Sequence, residues 1–90
     1  MKILGKNIKV ILNEMGVRET LYGSNDSMYL TIYINKNLPT QEKEETLLHE
    51  ILHHISNSME IGLNEKQVSR LSACLYSVFR ENGINWRLLK

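Results

Sequence analysis

The chain has 90 residues, of which 42% are hydrophobic and 23% are charged, and its formal net charge is +1. This size suits one domain with a single modest core over residues 1–90. The near-neutral charge gives no general attraction to nucleic acid, no apolar run can span a bilayer, and no signal peptide is visible, so we expect a cytoplasmic protein without nucleic-acid or membrane partners.

The first 35 residues carry the alternating and β-branched patterns of strands. We predict three strands, over residues 6–14, 17–22 and 28–35. In the first of them, Ile8, Val10 and Leu12 fall on one side, as in a half-buried strand. Residues 23–27, GSNDS, are turn formers and are predicted to connect the second strand to the third.

Two helices are predicted after the strands. Thr40 is a plausible N-cap for the first, which runs to about Met59. Asn64 can cap the second, with Gln67 as its capping-box partner, and Gly83 ends it. Three strands followed by two helices indicate an α+β domain, with a small antiparallel sheet and the helices packed on one face.

The first helix carries the segment His49-Glu50-Ile51-Leu52-His53. On an ideal helix His53 lies only about 40° from His49 and one turn along, so both imidazoles project side by side and can share one Zn²⁺ ion. Glu50 lies at about 100°, where it can reach a water on the metal rather than the metal itself. Since Cys74 is the only cysteine, an internal disulfide is excluded, and a metal is the expected means of stabilising so small a core.

Glu65 is the candidate for a third ligand. The predicted apolar stripe of the first helix comprises Leu47, Leu48, Ile51, Leu52, Ile55 and Met59. That of the second helix comprises Val68, Leu71, Cys74, Leu75, Val78 and Phe79. The histidines border the first stripe and Glu65 borders the second, so packing the two stripes together can bring Glu65 toward the histidines. Two histidines, one carboxylate and an open water position form a catalytic zinc arrangement.

The chemistry follows from these groups. Zinc lowers the pKa of its bound water to roughly 7 and polarises a carbonyl oxygen. Glu50 would accept a proton from that water as it attacks the carbonyl, and would then deliver the proton to the leaving amine.

Two segments resemble the small phage and bacterial members of the ImmA/IrrE-like metallopeptidases. They are TLLHEILHHI, residues 46–55, and NEKQVSRLSACLYSVFRENG, residues 64–83. The resemblance implies a minimal zincin-like domain that hydrolyses a protein or peptide substrate. Carried onto this chain, it implies that His49, His53 and Glu65 bind Zn²⁺ and that Glu50 is the general base.

Several other readings remain open at the level of sequence. HExxH occurs by chance, and a zinc-stapled phage or bacterial binding module without catalysis is the alternative function. Glu65 can instead stabilise the second helix as a first-turn carboxylate that interacts with the helix dipole. Glu60 competes with Glu65 as the third ligand. His54, about 100° from His53, is predicted to be partly exposed or to lie behind the ligands, and Cys74 to be a core residue. Strand 28–35 is the candidate for pairing with an extended substrate. The sequence leaves the oligomeric state undetermined.

Overall fold

The computed structural model describes residues 1–13, 23–26 and 31–84. It contains strands β1 (Lys2–Ile3), β2 (Lys6–Asn7), β3 (Lys9–Asn13), β4 (Gly23–Asp26) and β5 (Thr31–Asn35), and helices α1 (Thr40–Ser58) and α2 (Glu65–Glu81). The predicted α+β fold, with a small sheet followed by two packed helices, is confirmed. Within the described ranges, neither helix is both long and apolar enough to cross a membrane.

The predicted first strand, residues 6–14, is divided between two sheets. Its first two residues, β2, pair with β1 in a small antiparallel hairpin that was not predicted. Leu4 and Gly5, at the tip, have φ of 52° and 80°, the positive values that a two-residue type I′ turn requires. Buried Ile8 separates this hairpin from β3, which joins the main sheet. Leu12 of β3 is 41% exposed, so the predicted inward face holds only in part.

The main sheet is mixed, which corrects the expectation of an antiparallel sheet. Its order is β3-β5-β4, with β5 parallel to β3 and antiparallel to β4. The chain reverses direction from β3 to β4 and again from β4 to β5, as expected. The central position buries a strand most completely, and β5 takes it because it carries Ile32 and Ile34, both 0% exposed. After two reversals β5 runs in the same direction as β3. Because β5 also lies next to β3, the two strands pair in parallel.

The predicted turn at residues 23–27 is wrong, because its first four residues form β4. The sequence Gly-Ser-Asn-Asp has low strand propensity, but its backbone pairs with β5 over the register Gly23↔Ile34 to Asp26↔Thr31. Tertiary pairing overrides local propensity at this edge of the sheet. The predicted strand over 17–22 and the first residues of the predicted strand 28–35 lie outside the described residues.

Helix α1 packs against strands β4 and β5 on one side and against α2 on the other. Leu47 joins the core formed with Ile3, Ile8, Ile32 and Ile34. Because α1 has neighbours on two sides, its buried arc is wider than the predicted apolar stripe. The arc also includes three polar residues, Glu50, His54 and Ser56. At the helix end, Met59 is 58% exposed instead of buried.

The buried face of α2 differs from the predicted stripe. Val68, Ser72 and Tyr76 are buried, whereas Leu71 and Val78 are exposed. Cys74 is also exposed, so its prediction as a core residue is wrong. The buried face is rotated by about 90° from the centre of the predicted stripe, toward the side that carries Glu65. Tyr76 secures this orientation, because its hydroxyl donates a hydrogen bond of 3.1 Å to Oε1 of Glu44 on α1.

The helix ends follow local rules more closely than the strands do. The N-cap of α1 is Pro39 rather than the predicted Thr40, and its side chain makes no capping hydrogen bond. The predicted capping box of α2 is confirmed: the Asn64 side chain accepts from the Gln67 amide at 2.8 Å, and the Gln67 side chain accepts from the Asn64 amide at 2.9 Å. Gly83, with φ of 69°, follows the end of α2 as predicted.

Helix α1 ends in a Schellman motif that has glutamate where glycine is usual. The Glu60 amide donates to the carbonyl of Asn57 at 3.4 Å, and the Ile61 amide donates to that of Ser56 at 2.9 Å. Glu60 has φ of 53°, in the left-handed region. A residue with a Cβ is strained there by about 1 kcal/mol or more.

Replacing Glu60 with glycine is therefore expected to stabilise the protein. Glycine removes the strain but increases the entropy of the unfolded chain, so we expect a net gain of about 0.5 kcal/mol. Thermal and urea unfolding of the metal-free protein measure it. Glu60→Ala is the matched control, since it removes the carboxylate but keeps the Cβ. A gain in the alanine variant equal to that in the glycine variant would attribute the effect to charge instead of backbone strain.

Candidate metal centre

His49 and His53 lie one turn apart on α1 and turn their rings toward the same point. Their Nε2 atoms are 3.2 Å apart, and the ring centroids are 4.8 Å apart with an interplanar angle of 62°. The side chains are 19% and 23% exposed, respectively. The helical spacing predicted this juxtaposition, and partial burial limits the freedom of both rings.

Glu65, the first residue of α2, reaches both histidines. Its Oε1 atom lies 2.7 Å from Nε2 of His49, and its Oε2 atom lies 2.6 Å from Nε2 of His53. The rotated buried face of α2 turns this residue toward α1, and the capping box fixes where the helix begins. The structure thus brings together the three side chains that the sequence analysis proposed as ligands.

The donor set fits a metal ion better than it fits hydrogen bonding alone. If each Nε2 carried a proton to donate to Glu65, two N–H groups would face each other across 3.2 Å. A cation removes this conflict, because all three groups then offer lone pairs. Ligand atoms at about 2.0–2.1 Å from a tetrahedral zinc lie about 3.3 Å apart, close to the separation of the two nitrogens. The 2.6–2.7 Å separations from the nitrogens to the oxygens of Glu65 are shorter, so this exposed carboxylate would have to move back slightly around an ion. Within the described ranges, His49, His53 and Glu65 form the one group of three that could hold an ion.

Glu50 lies beside this group and is not part of it. The residue is only 7% exposed. The pKa of its carboxyl is raised from 4.5 to about 7, mainly because burial disfavours the charged form; His53 opposes the rise, and the charge of Glu65 adds to it. Both residues that influence Glu50 belong to the proposed ligand group, so its carboxyl is close to the site where a metal would bind.

His54 is buried and is not part of the group. It is 2% exposed, which corrects the expectation of partial exposure. Its Nδ1 atom has no hydrogen-bond partner among the described residues. The wide buried arc of α1 explains the burial, because His54 lies on the side of the helix that its neighbours cover.

We therefore expect His54→Ala to retain about one zinc per chain. The same variant should lose roughly 2 kcal/mol of stability, since it removes a buried ring. Metal analysis of the folded protein, beside His53→Ala, measures the first effect, and thermal unfolding measures the second. Zinc loss as complete as that of His53→Ala would show that the proposed ligand assignment is wrong.

The strand that was expected to pair with substrate is not at an edge of the sheet. β5 pairs with β3 over residues 31–35 and with β4 over residues 31–34. Both backbone edges are therefore occupied over residues 31–34, and the prediction is wrong for them; residues 28–30 of the predicted strand lie outside the described residues. β4 lies at an edge and contacts α1. The sequence reasoning missed β4 because its four residues carry turn propensity and no apolar pattern.

The chain is similar to a known family of peptidases. The sequence profile of the IrrE N-terminal-like domain, a peptidase family, matches residues 5–74. The matched range contains all three proposed ligands and Glu50. No curated protein and no solved structure shows a significant match to the chain.

Proposed function

The chain belongs to the peptidase family defined by the IrrE N-terminal-like domain, and from that premise we propose that it is a zinc-dependent metallopeptidase. The observation that carries the proposal is the convergence of three donors at one point, with a buried glutamate beside them that is not one of the three. A structural zinc site closes its fourth position with a further Cys or His, and the described residues supply neither here.

Three residues of the chain bind the ion, and a fourth transfers protons. His49 and His53 bind the ion through Nε2, and Glu65 binds it through a carboxylate oxygen. When bound, zinc supplies Lewis acidity that activates water and polarises a carbonyl oxygen. Glu50 accepts a proton at its carboxylate and passes it to the leaving amine, as the general base and then the general acid.

The proposed substrate is a protein or peptide in extended form. The outer edge of β4 is the candidate surface, because an edge strand offers backbone groups to a further strand. β4 lies against α1, the helix that carries both histidines and Glu50. A substrate strand added to this edge would therefore lie beside the sheet strand that contacts the helix of the proposed centre.

Metal-dependent cleavage tests the proposal directly. The zinc-loaded protein is incubated with a protein extract from its own source, and new N-termini are identified by mass spectrometry. We expect cleavage products that disappear after chelation and return when zinc is added. Zinc bound at one per chain without products, across several divalent metals, would favour the alternative, a zinc-stapled binding module.

A further inference from the structure

Ser56 is a buried polar residue to which the proposed chemistry assigns no role. It is 2% exposed and lies near the end of α1, three residues after His53. Its hydroxyl Oγ accepts a hydrogen bond of 2.9 Å from the backbone amide of Leu63. Its backbone carbonyl accepts another of 2.9 Å, from the amide of Ile61. One residue therefore holds the interhelical loop at two points.

The loop has to place Glu65 accurately, because packing does little to hold that side chain. Glu65 is 70% exposed, and it begins α2 only twelve residues after His53. Within the loop, Glu60 and Gly62 both have positive φ, so the chain turns sharply twice. Leu63, whose amide Ser56 holds, stands immediately before Asn64, the N-cap of α2.

We propose that Ser56 is a positioning residue for the third ligand: its hydroxyl fixes the loop at Leu63 and thereby sets the place where Glu65 meets the histidines. The inference rests on the metal centre proposed above. The carbonyl bond to Ile61 belongs to the helix-ending motif and survives any side chain. The bond to the Leu63 amide depends on the hydroxyl, and Leu63 lies two residues from Glu65.

Groups that orient a metal ligand indirectly change metal affinity by roughly ten- to a hundredfold when they are removed. We expect Ser56→Ala to weaken zinc binding by that factor, because the Leu63 amide loses its partner and the start of α2 shifts. Ser56→Thr keeps the oxygen and is expected to recover most of the affinity. Recovery by threonine separates the hydrogen bond from a general effect of substitution at this position.

Ser72→Ala is the matched control. Ser72 is also 2% exposed and lies on the other helix, but its hydroxyl donates within α2, to the carbonyl of Ser69 at 3.1 Å. The Ser72→Ala variant therefore loses a buried hydroxyl, as Ser56→Ala does, but keeps the hydrogen bond that holds the loop at Leu63. We expect the zinc affinity of this variant to equal that of the wild type.

A double-mutant cycle tests whether Ser56 acts through Glu65. Zinc affinity is measured by competition with a chromophoric chelator, at a temperature where circular dichroism shows every variant folded. In a Glu65→Ala background, Ser56→Ala should cause no further loss, because the ligand that it positions is already absent. Cobalt(II) spectra of Ser56→Ala should shift toward those of Glu65→Ala.

Three results would overturn the inference: unchanged affinity in Ser56→Ala, equal losses in both backgrounds, or an equal loss in Ser72→Ala. Each of them leaves the metal centre standing, since wild type would still bind zinc and Glu65→Ala would still weaken it. Failure of wild type to bind zinc would reject the metal centre itself, and the role of Ser56 with it.

Discussion

Replacing either His49 or His53 with alanine is expected to abolish stoichiometric zinc binding, from about one ion per chain to a trace. The two Nε2 atoms are 3.2 Å apart and belong to the group of three that could hold an ion. Removal of residues that merely orient ligands costs roughly ten- to a hundredfold in affinity, so loss of a direct ligand should exceed a hundredfold. Metal analysis after gel filtration, followed by chelator competition, measures the effect.

The three proposed ligands should not contribute equally. The histidines are 19% and 23% exposed, whereas Glu65 is 70% exposed. Water can replace an exposed carboxylate more readily than a half-buried imidazole, so Glu65→Ala should weaken zinc binding less than either histidine variant does. Glu60→Ala serves as the control, because it removes a neighbouring carboxylate that lies outside the group. Full retention of zinc in both histidine variants would rule out the proposed centre.

The sequence predicted those parts of the fold that depend on neighbours along the chain. The capping box of Asn64 and Gln67 and the glycine after α2 are local signals, and both are found as predicted. Strand order is not a local property. Nothing in residues 23–26 indicates a strand, and nothing in residues 31–35 indicates that the strand will lie between its two predecessors. These features depend on pairing between distant segments, which propensity does not encode.

The candidate site shows the same division between local and non-local information. The helical spacing alone predicted that His49 and His53 would share a face. Glu65 was placed near them by packing the two apolar stripes together, but α2 presents a different face to α1. Polar Ser72 and Tyr76 lie in that contact, while apolar Leu71 is exposed. Glu65 lies close to both faces of α2, the one predicted to contact α1 and the one that does. The prediction therefore placed Glu65 near the histidines although it chose the wrong face.

Glu50→Gln is expected to abolish cleavage while leaving zinc bound. Glutamine is nearly isosteric with glutamate, but its amide cannot accept a proton from the attacking water. Loss of a general base typically costs about 10²–10⁴-fold in rate. Since Glu50 is not one of the three proposed ligands, zinc stoichiometry should stay at that of wild type. The measurement is the rate of formation of zinc-dependent products by the variant and by wild type.

Stability measurements guard against the objection that the variant is misfolded. The pKa of Glu50 is raised from 4.5 to about 7 by burial, so the native state holds this proton more tightly than the unfolded chain does. The stability of the metal-free wild type therefore falls as pH rises through that window, because the buried carboxylate becomes charged. The neutral amide escapes this loss, and at pH 8 Glu50→Gln should be more stable by about 1–3 kcal/mol.

Glu45→Gln is the matched control for catalysis. It makes the same substitution on the same helix, at a residue outside the proposed ligand group. It should cleave at the wild-type rate. Products formed equally well by Glu50→Gln would reject Glu50 as the base and leave the zinc centre intact, because metal binding needs only the ligands. A variant that binds zinc, unfolds at a higher temperature at pH 8 and forms no products would separate catalysis from folding. The buried carboxylate would then lower the stability of the metal-free fold and be required for proton transfer.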